Sequence, residues 1–207
     1  MTTAIFLPAM RPQNFARIVE NLAETTDDYH AYWVVNTPQA ADELTRLKQS
    51  YWRDNGASWA VRLNHLYDHT TEPYFFLGAD DLKWHPGWLK TAMAVMERID
   101  GVVSVNDMWQ HGVGTSALVS RNYIDTMSGC IDQPGVVCHP GYAHHGAETE
   151  LFQTAAKRGR YAYCEQSVVE HMHAILGKAP DDEVYALGAS LTAESVAMFE
   201  SRKHLWR

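Results

Sequence analysis

The sequence predicts an α/β layered fold, and three observations carry that prediction. Short apolar or β-branched runs alternate with amphipathic helical patterns along most of the chain. One run, Tyr74-Phe75-Phe76-Leu77, is apolar without interruption, as expected of a strand in the middle of a parallel sheet. The third is composition: 207 residues, 46% hydrophobic and 20% charged, suffice for a sizeable core and exclude a disordered chain.

Taken in order, Thr3 to Leu7 reads as the first strand. A helix follows with Asn14 as its N-cap, and Phe15, Ile18, Val19 and Leu22 fall at the spacing of one buried face. Ala31 to Val35 is a second strand, rich in aromatic and β-branched residues, and Pro38 to about Tyr51 a second helix. Trp59, Leu63 and Leu66 share one side of a third helix. After the apolar strand, a helix opens near Pro86, because proline suits a first turn; Leu89, Ala92, Val95, Met96 and Ile99 form its core face. Val102 to Val105 and Ala117 to Ser120 read as strands, Glu148 to Arg158 as a helix and Tyr161 to Cys164 as a strand. From Asp181 the chain is helical, and Arg202, Lys203, His204 and Arg207 suit the negative end of a helix dipole.

No apolar run approaches the ~18 residues of a membrane helix. The first apolar stretch is stopped by Pro8 and Arg11, so no signal peptide is expected. The three cysteines are odd in number and lack C-x-x-C spacing, which predicts reduced thiols in a cytoplasmic protein. The balance of 17 basic against 25 acidic residues, net −8, argues against broad non-specific binding to nucleic acid.

In open α/β sheets, ligands sit beyond the carboxyl ends of the strands. That rule makes Pro8 to Arg11, Asn36, Asp80-Asp81 and Asn106-Asp107 the informative residues. Adjacent Asp80 and Asp81 are costly to bring together without a cation, and Mg2+ or Mn2+ takes one or two carboxylates while phosphate and water fill its shell. The plainer reading is an Asp cap on the following helix. Asn55-Gly56 followed by Ala60-x-Arg62-x-Asn64 supplies a turn and two side chains able to bind a phosphate or base; the plainer reading is a turn and an exposed arginine. In His144-His145-Gly146-Ala147-Glu148-Thr149-Glu150-Leu151, Glu148 is either a general base or a carboxylate favoured by a helix dipole. In Val168-Val169-Glu170-His171-Met172-His173, the period of two places His171 and His173 on one face, as metal ligands or as packing residues. Gly112-Val113-Gly114-Thr115 is a glycine-bearing loop and the weakest of these signals.

In this order the segments resemble the GT-A glycosyltransferases, and within them family 2. AIFLPAMRPQNFARIVENL resembles the first strand, turn and helix; DNGASWAVRLN resembles an N-G…A-x-R-N segment with one extra residue; FFLGADDLKWHPGWL resembles the strand that ends in D-x-D; HHGAETELF resembles G-E-D-x-E-L; and VVEHMH resembles the late strand whose histidine completes a metal shell. Gly78 stands where the first aspartate of D-x-D is usual, Glu148 where the base is usually Asp, and the D-D-G-S after the second strand is missing, with Asn36 at its entrance. The small size resembles the stand-alone glycosyltransferases encoded by bacteriophages.

The resemblance implies a Rossmann-like GT-A fold with a mixed, mostly parallel sheet, spanning 1–180, with 181–207 as a helical extension packed on it. It implies transfer of a sugar from a UDP- or GDP-sugar to a hydroxyl, with inversion. Asp80 and Asp81, with His171 or His173, would hold Mn2+ or Mg2+. Pro8, Arg11, Asn36, Gly56, Arg62, Asn64 and Asp80 would surround the nucleotide, and Glu148 would serve as base. Trp84 and Trp109 would stack on sugar or base, or simply pack. The expected acceptor is a hydroxymethylated pyrimidine of phage DNA, met by Lys157, Arg158, Arg160, Arg202, Lys203 and Arg207, or else a virion protein or a glycan. The expected place of action is the cytoplasm, that of the host if phage-encoded. A nucleotidyltransferase, a non-catalytic nucleotide-sugar-binding module and, more distantly, a zinc hydrolase are the competing classes; the first lacks its G-x-G-x-R loop here, where the turn is Pro8-Ala9-Met10-Arg11.

Overall fold

The structure is a computed structural model that describes residues 2–206. Among these residues eight strands form one sheet in the order β3-β2-β1-β4-β7-β6-β8-β5. They are β1 (Thr3–Ala9), β2 (Tyr29–Val35), β3 (Tyr51–Arg53), β4 (Tyr74–Leu77), β5 (Leu82–Trp84), β6 (Val102–Asn106), β7 (Ala117–Ser120) and β8 (Tyr161–His171). β3, β2, β1 and β4 are mutually parallel. β7 runs antiparallel to both β4 and β6, β6 returns parallel to β8, and β5 pairs antiparallel with the end of β8.

Helices cover both faces: α1 (Phe15–Thr25), α2 (Pro38–Arg46) and α4 (Trp88–Ile99) on one, α3 (Trp59–Asp68), α5 (Arg121–Met127) and α6 (Ala147–Lys157) on the other. Strand alternation builds the two cores. Ile5 and Leu7 pack with Phe15, Ile18, Leu44 and Met96, while Ala4 and Phe6 pack with Leu63, Leu66, Ile124 and Phe152. α7 (Glu183–Ser190) and α8 (Thr192–Arg202) follow β8. No described helix is long and apolar enough to cross a membrane. Cys130, Cys138 and Cys164 are buried and free.

Several boundaries differ from the expectations, each for a local reason. Asn14 precedes α1 but does not cap it: its backbone is already helical, and its Nδ2 donates to the Asp80 carbonyl at 2.8 Å. α2 stops at Arg46, and Tyr51 opens β3 beside Trp33. α4 begins two residues after Pro86, behind Gly87 at φ 80. The strand begun at Tyr161 runs on to His171 through an irregularity opposite Val105 and Asn106, which delivers the late histidines to the site. β5 and α5 were not anticipated. Arg207 lies outside the described residues.

Gly78 has a packing cause. A side chain there would put its Cβ 2.6 Å from the Phe6 carbonyl oxygen, because β4 leaves the sheet tight against β1. The place of the first aspartate of D-x-D is therefore closed to any side chain.

Candidate functional site

A cavity of about 590 Å3 opens at the carboxyl ends of β1, β2, β4, β6 and β8, within the size range of ligand pockets. Of the residues singled out from sequence, Pro8, Arg11, Asn36, Gly56, Arg62, Asp80, Asp81, Trp109, Glu148, His171 and His173 line it. Asn64 and Trp84 do not.

Two adjacent carboxylates need a positive neighbour, and the chain supplies one. Arg11 Nη1 donates to Asp80 Oδ1 at 2.7 Å and lies 3.6 Å from Asp81 Oδ2. Asp80 Oδ2 accepts the backbone amides of Met10 and Arg11. Both Asp80 oxygens are thus engaged by the turn after β1. Burial and the charge of Asp81 push the Asp80 carboxyl upward, and Arg11 with the amide of Met10 opposes them.

Asp81 faces the other way. Its Oδ2 lies 3.4 Å from His171 Nε2 and accepts the Tyr185 hydroxyl at 3.3 Å. Burial would raise its carboxyl, but His171 and then Arg11 outweigh burial and hold it at about 2. His171 is oriented from behind, with Nδ1 3.2 Å from Thr115 Oγ1 and its amide donating to the Asp107 carbonyl at 3.0 Å. Thr115 belongs to the glycine-bearing loop, which thereby has a role at the site.

These residues fit a divalent ion. Ligand bonds of about 2.1 Å place adjacent octahedral ligands about 3 Å apart, close to the 3.4 Å between Asp81 Oδ2 and His171 Nε2. No group of three or more His, Cys, Asp or Glu side chains among the described residues could hold a metal. The protein thus offers two donors and leaves the remaining positions to water and a ligand. His173 is otherwise engaged: its Nδ1 accepts the Ile175 amide at 3.1 Å, and its ring packs on Tyr185 and Trp109.

Glu148 sits in the first turn of α6, behind Gly146 at φ 93. Burial pushes its carboxyl upward, against its own amide, the amide of Gly146 and the charge of His171. The next carboxylate, Glu150, is structural. It is fully buried and held by Arg202 at 2.7 and 2.8 Å and by the Tyr142 hydroxyl at 2.9 Å.

On the opposite side, Arg62 is buried rather than exposed, and grips Asp54 through Nε at 2.6 Å and Nη2 at 3.0 Å. Gly56 donates to the same Asp54. Asn36 Oδ1 is buried without a hydrogen-bond partner, an acceptor awaiting a donor. Asn64, expected near the nucleotide, spends its amide on backbone: Nδ2 donates to the Cys138 carbonyl, and Oδ1 accepts from Val137 and Cys138. Trp84 packs in the core against Phe76.

Sequence reasoning missed the part played by α7. Asp182 caps this helix through the amides of Val184 and Tyr185, and accepts from Arg11 Nε at 2.7 Å. The Tyr185 ring lies 3.9 Å from the Arg11 guanidinium carbon. Gly188 lets α7 seat against His144, since a Cβ there would lie 2.3 Å from His144 Nε2. Aspartate at a helix start signals a cap in sequence, but nothing local signals that the cap also reaches Arg11.

Comparison with known proteins bears on this geometry at the level of fold. No family model matches the chain, and no curated protein matches it. Solved structures do. Glucosyl-3-phosphoglycerate synthase from Mycobacterium tuberculosis, in complex with Mn2+, UDP and glucosyl-3-phosphoglycerate, aligns at TM-score 0.68 and 12% identity, over 97% of this chain and 79% of that one. The same enzyme with Mg2+ and UDP aligns at TM-score 0.66 and 12% identity, over 97% of this chain and 79% of that one. TarS of S. aureus aligns at TM-score 0.62 and 11% identity, over 82% of this chain and 36% of that one. The chain therefore has the GT-A glycosyltransferase fold, as its sequence led us to expect.

Proposed function

We propose that this protein transfers a sugar from a nucleoside diphosphate sugar to a hydroxyl acceptor, inverting the anomeric carbon, with Mn2+ or Mg2+ bound. One observation carries the reading: the Asp81–His171 pair and the desolvated Glu148 share a single cavity at the strand ends. Asp81 and His171 would hold the ion, which when bound offsets charge on the departing diphosphate. Pro8, Arg11, Asn36, Gly56 and Arg62 surround the nucleotide. The unpartnered Asn36 oxygen suits a base that presents an imide-type N–H, as uracil and guanine do. Asp80 positions Arg11 and the β1 turn. Glu148 takes the proton of the acceptor hydroxyl as its oxygen attacks the anomeric carbon opposite the diphosphate; its raised proton affinity suits that task. The M. tuberculosis enzyme, solved with Mn2+ and UDP-glucose in the same fold, supports this donor class.

The basic side chains expected to meet hydroxymethylated DNA make contacts within the protein, which favours another hydroxyl acceptor. Arg158 donates to Tyr123 and to the Ser128 carbonyl, Arg160 to the Ile99 carbonyl, and Arg202 to Glu150 and Asp132. Lys157 donates to the Leu205 carbonyl, and Lys203 pairs with Glu200. Each of these five side chains thus has a partner inside the protein.

The test is nucleotide release from UDP- and GDP-sugars, with and without Mn2+, alongside calorimetric binding of UDP and GDP. Mn2+-dependent release of one diphosphate is expected, with Glu148→Gln binding that nucleotide but failing to transfer. Binding of neither nucleotide, near-normal transfer by Glu148→Gln, or pyrophosphate as product would overturn the proposal, the last in favour of a nucleotidyltransferase.

A further inference from the structure

The topology gives the cavity two chemically different ends. Residues after β1 and β2 and at the start of α3 line one; residues after β6, before α6 and on α7 line the other; Asp80 and Asp81 lie between. Among the described residues the only arginine or lysine side chains lining it are Arg11 and Arg62. Arg62 stands at the nucleotide end, paired with Asp54, while Arg11 lies between the ends, paired with Asp80 and with Asp182 at the start of α7 and stacked on Tyr185. The Glu148 end is formed by Trp109, Gln110, His144, His145, Leu187 and Leu191, with no arginine or lysine.

From this distribution we infer that the acceptor is an uncharged saccharide, seated with a C–H face on Trp109 and its hydroxyls toward Gln110, His145 and Glu148. The inference rests on the transferase reading above and specifies its second substrate. Trp109 is a firm platform. Asp107 Oδ1 accepts the amides of Trp109 and Gln110 at 2.9 and 2.7 Å, and the Asp107 carbonyl also holds His171. An indole face beside neutral hydrogen-bonding groups matches a sugar, which offers C–H on one side and hydroxyls at its rim. Burial lowers the affinity of His144 for a proton, so this ring adds hydrogen-bonding capacity without charge. An anionic acceptor, such as the phosphoglycerate carried by the M. tuberculosis enzyme, would bring negative charge beside Glu148, where no arginine or lysine lines the cavity and the nearby Arg11 is already paired with Asp80 and Asp182.

The experiment offers the full-length protein, Mn2+ and whichever UDP- or GDP-sugar it cleaves to matched acceptors, and reads the mass of the product. The acceptors are neutral methyl glycosides and disaccharides, the 6-phosphates of the same sugars, 3-phosphoglycerate and hydroxymethylated DNA. Transfer to neutral sugars is expected, with each phosphorylated counterpart slower by about tenfold or more. Trp109→Ala should raise the neutral acceptor's KM about tenfold, the weight of one lost aromatic contact, and Trp109→Phe should recover most of that loss. Gln110→Lys should improve the phosphorylated acceptors relative to the neutral ones. Preference for a phosphorylated acceptor or DNA, donor hydrolysis with no neutral sugar modified, or an unchanged KM in a folded Trp109→Ala protein would overturn the inference while leaving the transferase reading intact. Failure to bind either nucleotide would instead remove the transferase reading itself.

Discussion

Replacing Arg202 by methionine should cost this protein about 3–5 kcal/mol of stability. The guanidinium bridges two carboxylates in different surroundings. Glu150 has a side chain 1% exposed, whereas that of Asp132 is 42% exposed. The Asp132 half resembles a surface pair and contributes at most about 1 kcal/mol. The Glu150 half dominates, because without Arg202 a fully buried carboxylate keeps only the Tyr142 hydroxyl and the Cys130 thiol, and an uncompensated buried charge costs about 3–5 kcal/mol. Methionine preserves the apolar stem, so lost packing adds little. In urea, with a slope of about 2–3 kcal/mol per molar, the midpoint should fall by about 1–2.5 M, and the melting temperature by about 6–20 °C. The double variant Glu150→Gln/Arg202→Met removes both charges and should recover at least half of the loss. A single variant that loses less than about 1 kcal/mol, or a double variant no more stable than the single, would refute this account of the network.

Glu148→Gln should lower kcat by about 100-fold or more, the usual weight of a general base, while nucleotide affinity holds. Because burial raises the Glu148 carboxyl above its ordinary 4.5 and the base works deprotonated, activity should rise with pH through a limb lying above 4.5; a limb at or below that value contradicts the assignment. Asp81→Asn should abolish the Mn2+ dependence of UDP or GDP binding in calorimetry. Asp80→Asn should chiefly unfold the protein more easily, by about 3 kcal/mol in a melt, since Arg11 loses its main partner. Asn64→Ala should lower stability by about 2–3 kcal/mol through the stranded amides of Val137 and Cys138 and leave nucleotide affinity unchanged; weakened nucleotide binding would return Asn64 to the site.

The layered fold was legible because the run at 74–77 is unbroken and apolar and the stripe of Phe15, Ile18 and Leu22 has helical spacing, and Phe75, Phe76, Leu77 and the stripe are buried accordingly. The strand-end rule then picked out Pro8, Arg11, Asn36, Asp80 and Asp81, which line one cavity. What failed to read has a common cause: a side chain's partner is set by tertiary packing. Asn64 sits within a motif-like spacing yet holds the 137–138 backbone, which is 73 residues away. Arg202 looked like a basic helix end until α8 laid it against Glu150. Asp80 and Asp81 are chemically identical in sequence, and only the turn after β1 separates them, one toward Arg11 and one toward His171. β7 carries no sign of its direction in its own four residues, so the switch to antiparallel pairing emerges only from its neighbours.

Asp182 and Tyr185 occupy the two groups that a donor substrate most needs. On the proposed function they would act as placeholders: a carboxylate where phosphate would meet Arg11, a hydroxyl where an ion would meet Asp81. An arriving ligand therefore exchanges partners with α7 and never meets bare charge, so its net gain is smaller than its contacts alone suggest.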